Sequence, residues 1–322
     1  MSPGFVDLQV NGFRGIDFSS PFLTGEEIRI VTDALGARGT AAYCPTIVTS
    51  PPEVYERNLP VLADAIENGI GGDLGIHIEG PFISAISKGA HPEEHIQPIR
   101  IETFERWQRI ARGNIRLVTL APELPGAEQF IRYLRGNGVA VSLGHHFADP
   151  ASIRRAVNAG ATASTHLGNG LPSQLKRHPN PIWSQLAEDD LWAMCICDGH
   201  HLPAEFVKVV LRVKAPAKFV AVSDAAPIAG LAPGRYSCFG TDVELDDSGK
   251  ISLLKDQGLA GSSCTMIECM NWLASLKLLD EQDLWRISVE NPLALIERTG
   301  LVMASRDQSV VFLNGRFTVI PG

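Results

Sequence analysis

The sequence predicts an α/β fold, a (β/α)₈ TIM barrel with a small C-terminal β-hairpin appendage. Three observations carry that expectation. Eight short, β-rich apolar runs recur through the first two thirds of the 322 residues. Each is separated from the next by a segment of helical period. The runs are near-continuously apolar instead of alternating, which implies a parallel sheet covered on both faces, and eight of them in roughly 220 residues is the count of a closed barrel.

In order, the strands are expected at residues 5–10, 40–46, 74–79, 115–120, 139–143, 162–167, 191–197 and 219–223. Two of the intervening helices announce their starts. Thr24 followed by Glu27 is a capping box, and Asp149 before Pro150 is an N-cap with proline at the first helical position. After the eighth strand, residues 235–254 read as a two-stranded excursion turning at Asp246-Asp247-Ser248-Gly249, and three helical stretches follow between 263 and 298. Residues 310–313 and 316–320 flank Asn314-Gly315, the signature of a hairpin with a type I′ turn. The division expected is a barrel over 1–303 and a hairpin tail over 304–322.

Composition narrows the function. With 45% hydrophobic and 20% charged residues the chain is an ordinary folded protein, and a formal charge of -8 repels phosphate backbones, so no nucleic-acid partner is expected. The longest apolar runs fall far short of the roughly 20 residues of a membrane span, so no membrane association is expected. Met1-Ser2-Pro3-Gly4 lacks the regions of a signal peptide, which gives a cytoplasmic expectation. The six cysteines lie scattered in apolar segments, where reduced buried thiols are expected over bridges or a zinc knuckle.

In a parallel barrel the chemistry sits at the C-terminal ends of the strands. Those ends carry Gln9 and Asn11, Glu79, Glu123, His145, His166, Asp198 and Asp224. A buried strand ending in an ionisable group costs several kcal/mol unless the group is paired or metal-bound, so a shared cause is needed, and a metal ion supplies one. Glu79, His145 and His166 offer one carboxylate oxygen and two imidazole nitrogens, which suits Zn²⁺ or a similar divalent ion and leaves positions for water and substrate. Their separations, 66 and 21 residues, are those of different barrel strands and not of a finger. His77 shares the face of Glu79 by alternation and is expected to support the ligands from behind.

Read as strings, the strand ends resemble the N-acetylglucosamine-6-phosphate deacetylases of the amidohydrolase superfamily, from residue 4 to about residue 300. The blocks run in order: Gly4-Phe5-Val6-Asp7-Leu8-Gln9-Val10-Asn11-Gly12, Gly75-Ile76-His77-Ile78-Glu79-Gly80-Pro81-Phe82, Lys88-Gly89-Ala90-His91-Pro92 and Val141-Ser142-Leu143-Gly144-His145. Then come Thr165-His166-Leu167, Asp198-Gly199-His200-His201, Ser223-Asp224-Ala225 and Leu259-Ala260-Gly261-Ser262. The resemblance implies a metal-dependent hydrolase barrel in which Glu79, His145 and His166 hold the metal and Asp224 is general base and acid. It further implies that His91 polarises the acetyl carbonyl. Gln9-Val10-Asn11 stands where many amidohydrolases place a His-x-His pair, so one divalent ion per chain is expected, Zn²⁺ first, with Fe²⁺, Co²⁺ and Mn²⁺ also accepted by this ligand set.

The resemblance also implies a homodimer, with Arg177 and His201 binding the substrate's phosphate, in the family from a neighbouring subunit, and Asn169 and Gly170 contacting the sugar or phosphate. The chain departs from the family at Gly168-Asn169-Gly170, where the missing side chains are expected to widen the pocket beside the sugar. It departs again at 177–183, and its β-sandwich is expected to be reduced to the C-terminal hairpin. The activity implied is removal of the N-acetyl group from an amino-sugar phosphate, foremost N-acetylglucosamine 6-phosphate. Two other readings stand beside it: a deacylase of another N-acyl amino sugar or acyl amino acid, and a non-catalytic binding barrel.

Overall fold

A computed structural model describes residues 2–255, 258–299, 301 and 308–321. Eight parallel strands form one sheet in sequence order: β1 (Phe5–Val10), β2 (Thr40–Val48), β3 (Ile76–Glu79), β4 (Ile115–Leu120), β5 (Ala140–Leu143), β6 (Ala163–Ser164), β7 (Trp192–Ile196) and β8 (Phe219–Val222). A parallel bridge between Val10 and Ala225 brings the last strand's end back to the first and closes the barrel. The helices that alternate with the strands are α1 (Gly25–Gly36), α2 (Pro52–Glu67), α3 (Ile101–Ile110), α4 (Ala127–Gly136), α5 (Pro150–Ala159), α6 (Pro181–Leu186) and α7 (Ala204–Lys214). The two expected caps are present: Thr24 and Glu27 form a reciprocal box at α1, and Asp149 accepts from the Ser152 N–H at α5.

The barrel interior is filled, not hollow. Val6, Leu8, Cys44, Leu117, Met194, Ile196, Val220 and Val222 pack there, joined by Leu293, Leu295 and Ile296. Outside, the strands' other face packs against the helices, where Tyr55 stacks on Trp107 with ring centroids 4.2 Å apart. All six cysteines are free thiols, five of them buried. Among the described residues, no helix is long and apolar enough to cross a membrane.

Three features differ from the sequence expectation or lie beyond it. The excursion after β8 is a three-stranded antiparallel sheet, β9 (Gly234–Cys238), β10 (Thr241–Leu245) and β11 (Ile251–Leu253). The expected turn at Asp246–Gly249 joins β10 to β11, and a second, two-residue turn at Phe239-Gly240 joins β9 to β10. That turn carried no Asn-Gly or Asp-Gly signature, so it was not legible. Of the three late helical stretches, α8 (Met266–Ser275) stands alone, whereas α9 (Glu281–Trp285) and α10 (Asn291–Leu295) are joined by one π-helical segment, Arg286–Glu290. The hairpin forms as expected, β12 (Gln308–Leu313) and β13 (Arg316–Pro321), with positive φ at both Asn314 and Gly315. It docks on the barrel: the Phe317 ring packs edge-on against Phe5 and Trp285, and Asn271 of α8 pairs with both backbone groups of Phe317. The expected division at 303/304 lies outside the described residues.

Candidate metal centre and active site

Every residue of the centre stands at the C-terminal end of a strand or in the loop beyond it, as the chemistry of a parallel barrel requires. Glu79 ends β3, His145 follows β5, His166 follows β6 and Asp224 follows β8. His145, His166 and Asp224 all have left-handed backbone, with φ of 49°, 30° and 52°. Such conformations cost of order 1–3 kcal/mol for a non-glycine residue and concentrate at functional sites. Here they turn each side chain off its strand and over the barrel mouth.

Glu79 Oε1 lies 3.2 Å from His145 Nε2 and 3.0 Å from His166 Nε2, and the two imidazole nitrogens are 3.0 Å from each other. His145 Nδ1 is 3.0 Å from the Ser87 carbonyl, which can only accept. The proton of the neutral ring is therefore on Nδ1, and the Nε2 lone pair faces Glu79 and His166. A carboxylate oxygen and a lone pair brought this close have no proton to share, and a cation between them removes the conflict. Among the described residues these three are the one group of His, Cys, Asp or Glu placed to share an ion, with ligand atoms all within 4.8 Å. The donor set and the backbone carbonyl behind His145 fit a Zn²⁺-like divalent ion.

Asp224 sits beside this group. Its Oδ1 accepts from Gln9 Nε2 at 3.0 Å and Asn11 Nδ2 at 2.8 Å, and the same Gln9 nitrogen donates to Glu79 Oε1 at 2.9 Å. Burial, reinforced by the charge of Glu79, pushes the Asp224 carboxyl up to about 7, so the group can take and release a proton near neutrality. For Glu79 burial acts upward too, but the two imidazoles beside it outweigh burial and hold the carboxyl well below its ordinary value.

His91 comes from the loop after β3. Its Nδ1 accepts from the Thr49 N–H at 3.3 Å and lies 2.8 Å from the Thr49 hydroxyl, so the neutral ring carries its proton on Nε2. Burial holds its pKa well below the ordinary histidine value, which keeps the ring a neutral N–H donor. Its ring packs edge-on against His145, centroids 4.3 Å apart.

A cavity of about 410 Å³ opens above these residues. Asn169, Gly170 and His201 line it along with the ligands, Asp224 and His91. His201 is fixed by Asp198, whose Oδ2 lies 2.7 Å from Nδ1 and whose Oδ1 accepts the N–H groups of His200 and His201. Arg177 is exposed on the loop before α6 and is not among the residues lining its own chain's pocket.

Three expectations need correction. The glycines at 168 and 170 do not widen the pocket. A Cβ at Gly170 (φ +60°) would stand 2.9 Å from His145 and 3.1 Å from His166, and one at Gly168 would meet Leu202 and Phe206 at 3.0 Å. The space is already filled, and Gly170 lets the backbone lie against the His145 and His166 rings. His77 points inward as alternation requires, but it bonds the Leu8 carbonyl (3.1 Å) and Thr119 Oγ1 (2.8 Å) and none of Glu79, His145 and His166. Glu123 accepts from the Phe147 N–H and braces the loop after β5, away from the pocket.

The supports carry little sequence signal. Thr49 and Ser87 fix the tautomers of His91 and His145 through contacts no spacing reveals, and strand-end position marks Gln9 and Asn11 as polar but not as donors to Asp224. Phe239 and Leu253 of the antiparallel sheet also line the pocket, without a sequence signal that could have found them.

Comparison with known proteins finds no matching family model. The chain is similar to the N-acetylglucosamine-6-phosphate deacetylase of Bos taurus, 39% identical over 76% of this chain and 62% of the relative. It is similar to that of Bacillus subtilis, 32% identical over 99% of this chain and 81% of the relative. An N-acetylgalactosamine-6-phosphate deacetylase from Shewanella is 32% identical over 92% of this chain and 74% of the relative. The solved N-acetyl-D-glucosamine-6-phosphate deacetylase of Mycobacterium smegmatis superposes with a TM-score of 0.89 at 28% identity, covering 99% of this chain and 85% of that one. A variant of that enzyme, solved in complex with N-acetyl-D-glucosamine-6-phosphate, superposes equally well. The chain thus spans about three fifths of the length of the first mammalian relatives and four fifths of the bacterial one.

Proposed function

Because the chain belongs to the N-acetylglucosamine-6-phosphate deacetylase family, we propose that it hydrolyses the N-acetyl group of an amino-sugar phosphate, foremost N-acetylglucosamine 6-phosphate, to the free amine and acetate. The observation that carries the reading is the convergence of Glu79, His145 and His166 within 3.2 Å of one another, beside the buried Asp224 carboxylate held by Gln9 and Asn11. Those three residues would hold one divalent ion, Zn²⁺ first. Its contribution when bound is Lewis acidity, which acidifies water and polarises the amide carbonyl.

The chain's own groups do the rest. Asp224 takes the proton of the attacking water as the C–O bond forms, and returns it to the nitrogen as the C–N bond breaks, because an amide anion is a poor leaving group. Gln9 and Asn11 hold Oδ1 of that carboxylate throughout. The Nε2–H of His91 donates to the developing oxyanion. Asn169, Gly170 and His201 contact the sugar and its phosphate, and Asp198 keeps His201 oriented toward the pocket. Arg177, exposed on its own chain, would complete the phosphate site of the partner in a cytoplasmic homodimer.

One experiment tests the reading: acetate release by the metal-analysed protein from N-acetylglucosamine 6-phosphate, its galacto epimer and both unphosphorylated sugars. Turnover of a phosphorylated sugar with about one metal per chain supports it. Release from none of the four, with metal bound, rejects it and moves the assignment to another N-acyl amine or to a binding barrel.

A further inference from the structure

The seam between β1 and β8 is closed by a side chain. Above it stand the Val10–Ala225 bridge and the Asn11 N–H donating to the Ala225 carbonyl at 2.9 Å. Below, the buried Asp7 spans both strands: Oδ2 accepts the Ser223 hydroxyl at 2.5 Å, and Oδ1 accepts the N–H groups of Ser223 and Gln9, each at 3.2 Å.

The same stretch of β1 contains a bulge. Three steps along β1, from Asp7 to Val10, match two along β2, from Tyr43 to Pro45. The extra residue changes which face each side chain takes. Before it, Val6 and Leu8 pack in the barrel interior beside Val220 and Val222. After it, Val10 packs outside with Phe18 and Tyr43, while Gln9 and Asn11 reach inward to Glu79 and Asp224. A regular strand that buries Leu8 inside would send Gln9 out, away from the site.

We infer that Asp7 is a positioning residue for this site: it fastens the bulge that turns Gln9 and Asn11 inward and fixes Ser223, so that both amides meet the Asp224 carboxylate. The Ser223 hydroxyl that donates to Asp7 also accepts the Ala225 N–H at 3.1 Å, which grips the left-handed Asp224 backbone from both flanks. Both amides converge on Oδ1 of Asp224, so Oδ2 remains for the proton in transit. The kinetic part of this inference rests on the reading of Asp224 given above; the structural part does not.

The test has two arms. In the first, the side-chain amide resonances of Gln9 and Asn11 are followed by NMR in the wild type, Asp7→Ala, Asp7→Asn and Ser223→Ala. Asp7→Ala should move both toward free-amide positions, Ser223→Ala should move them less, and Asp7→Asn, which keeps an acceptor for both N–H groups, should leave them near wild type. Unmoved resonances in both alanine variants overturn the inference, and Ser223→Ala decides it if Asp7→Ala does not fold. In the second arm, acetate release should fall at least 10-fold in kcat for Asp7→Ala with KM and metal content held, and Asp7→Asn should restore most of it. A loss that follows metal content or melting temperature instead would reduce Asp7 to a folding role. If the wild type releases no acetate, the deacetylase reading fails while the first arm still decides the inference.

Discussion

At the scale of single residues the proposed chemistry would rest on three groups: Asp224 Oδ2, the Nε2–H of His91 and the inward lone pair of His145. Replacing Asp224 by Asn keeps its shape but removes the proton carrier, so turnover should fall by 10²-fold or more while metal content stays at one per chain. Unchanged activity would sink the mechanism. Gly170→Ala should act on the metal instead, because the new Cβ would meet both ligand rings in a left-handed backbone. Titration with a chelator should strip metal from this variant at lower concentration than from the wild type. Asp7 supplies a pH dependence. Burial pushes its carboxyl from 3.8 up to about 6, so between those values the folded chain holds a proton the unfolded chain has released. Stability from this group is present below the unfolded pKa and is lost as pH rises through about 6, a loss of about 3 kcal/mol. Asp7→Asn should remove that slope, and urea midpoints at pH 5 and pH 8, which span about 1.4 kcal/mol of it, would reveal it; an identical slope in both proteins would refute the assignment.

Two elements outside the eight βα units bear on the site and on stability. The β9–β11 sheet lays Phe239 over the pocket from a turn in which this residue has φ of 54°. Phe239→Ala should therefore raise KM for the sugar while leaving metal affinity alone, and equal kinetics would show that the ring only covers the pocket wall. The β12–β13 hairpin is fastened through Phe317, fully buried between Phe5 and Trp285. Phe317→Ala should cost about 3–5 kcal/mol, measured by denaturant unfolding, since the cavity lies against the first barrel strand.

At the scale of the whole molecule the question is the second subunit. The net charge of -8 gives no general attraction for a phosphorylated sugar, so the phosphate needs local donors. On the proposed reading His201, which lines the pocket, would be one of these, whereas Arg177 does not line its own chain's pocket. If it serves the partner's pocket, Asp224→Asn and Arg177→Ala chains, each impaired alone, should complement when mixed, restoring about a quarter of the sites in statistically reassorted dimers. No recovery after subunit exchange would place the phosphate donors within one chain.

The barrel, its eight strands and the clustering of Glu79, His145 and His166 were legible because each rests on local or periodic signals. Apolar strands ending in Glu79, His145, His166 and Asp224 cannot bury those groups without partners, and that energetic demand is written in the order of residues. Other features were decided only in three dimensions. The bulge at Asp7–Val10 reverses the facing of Gln9, and nothing in a run of hydrophobic and polar letters marks an extra residue in a ladder whose other strand lies 36 positions away. The tautomers of His91 and His145 are set by Thr49 and the Ser87 carbonyl, and the glycines at 168 and 170 serve close packing instead of pocket width. These depend on which atoms meet across the barrel mouth, and distance between atoms, unlike burial or period, is settled only when the chain has closed on itself.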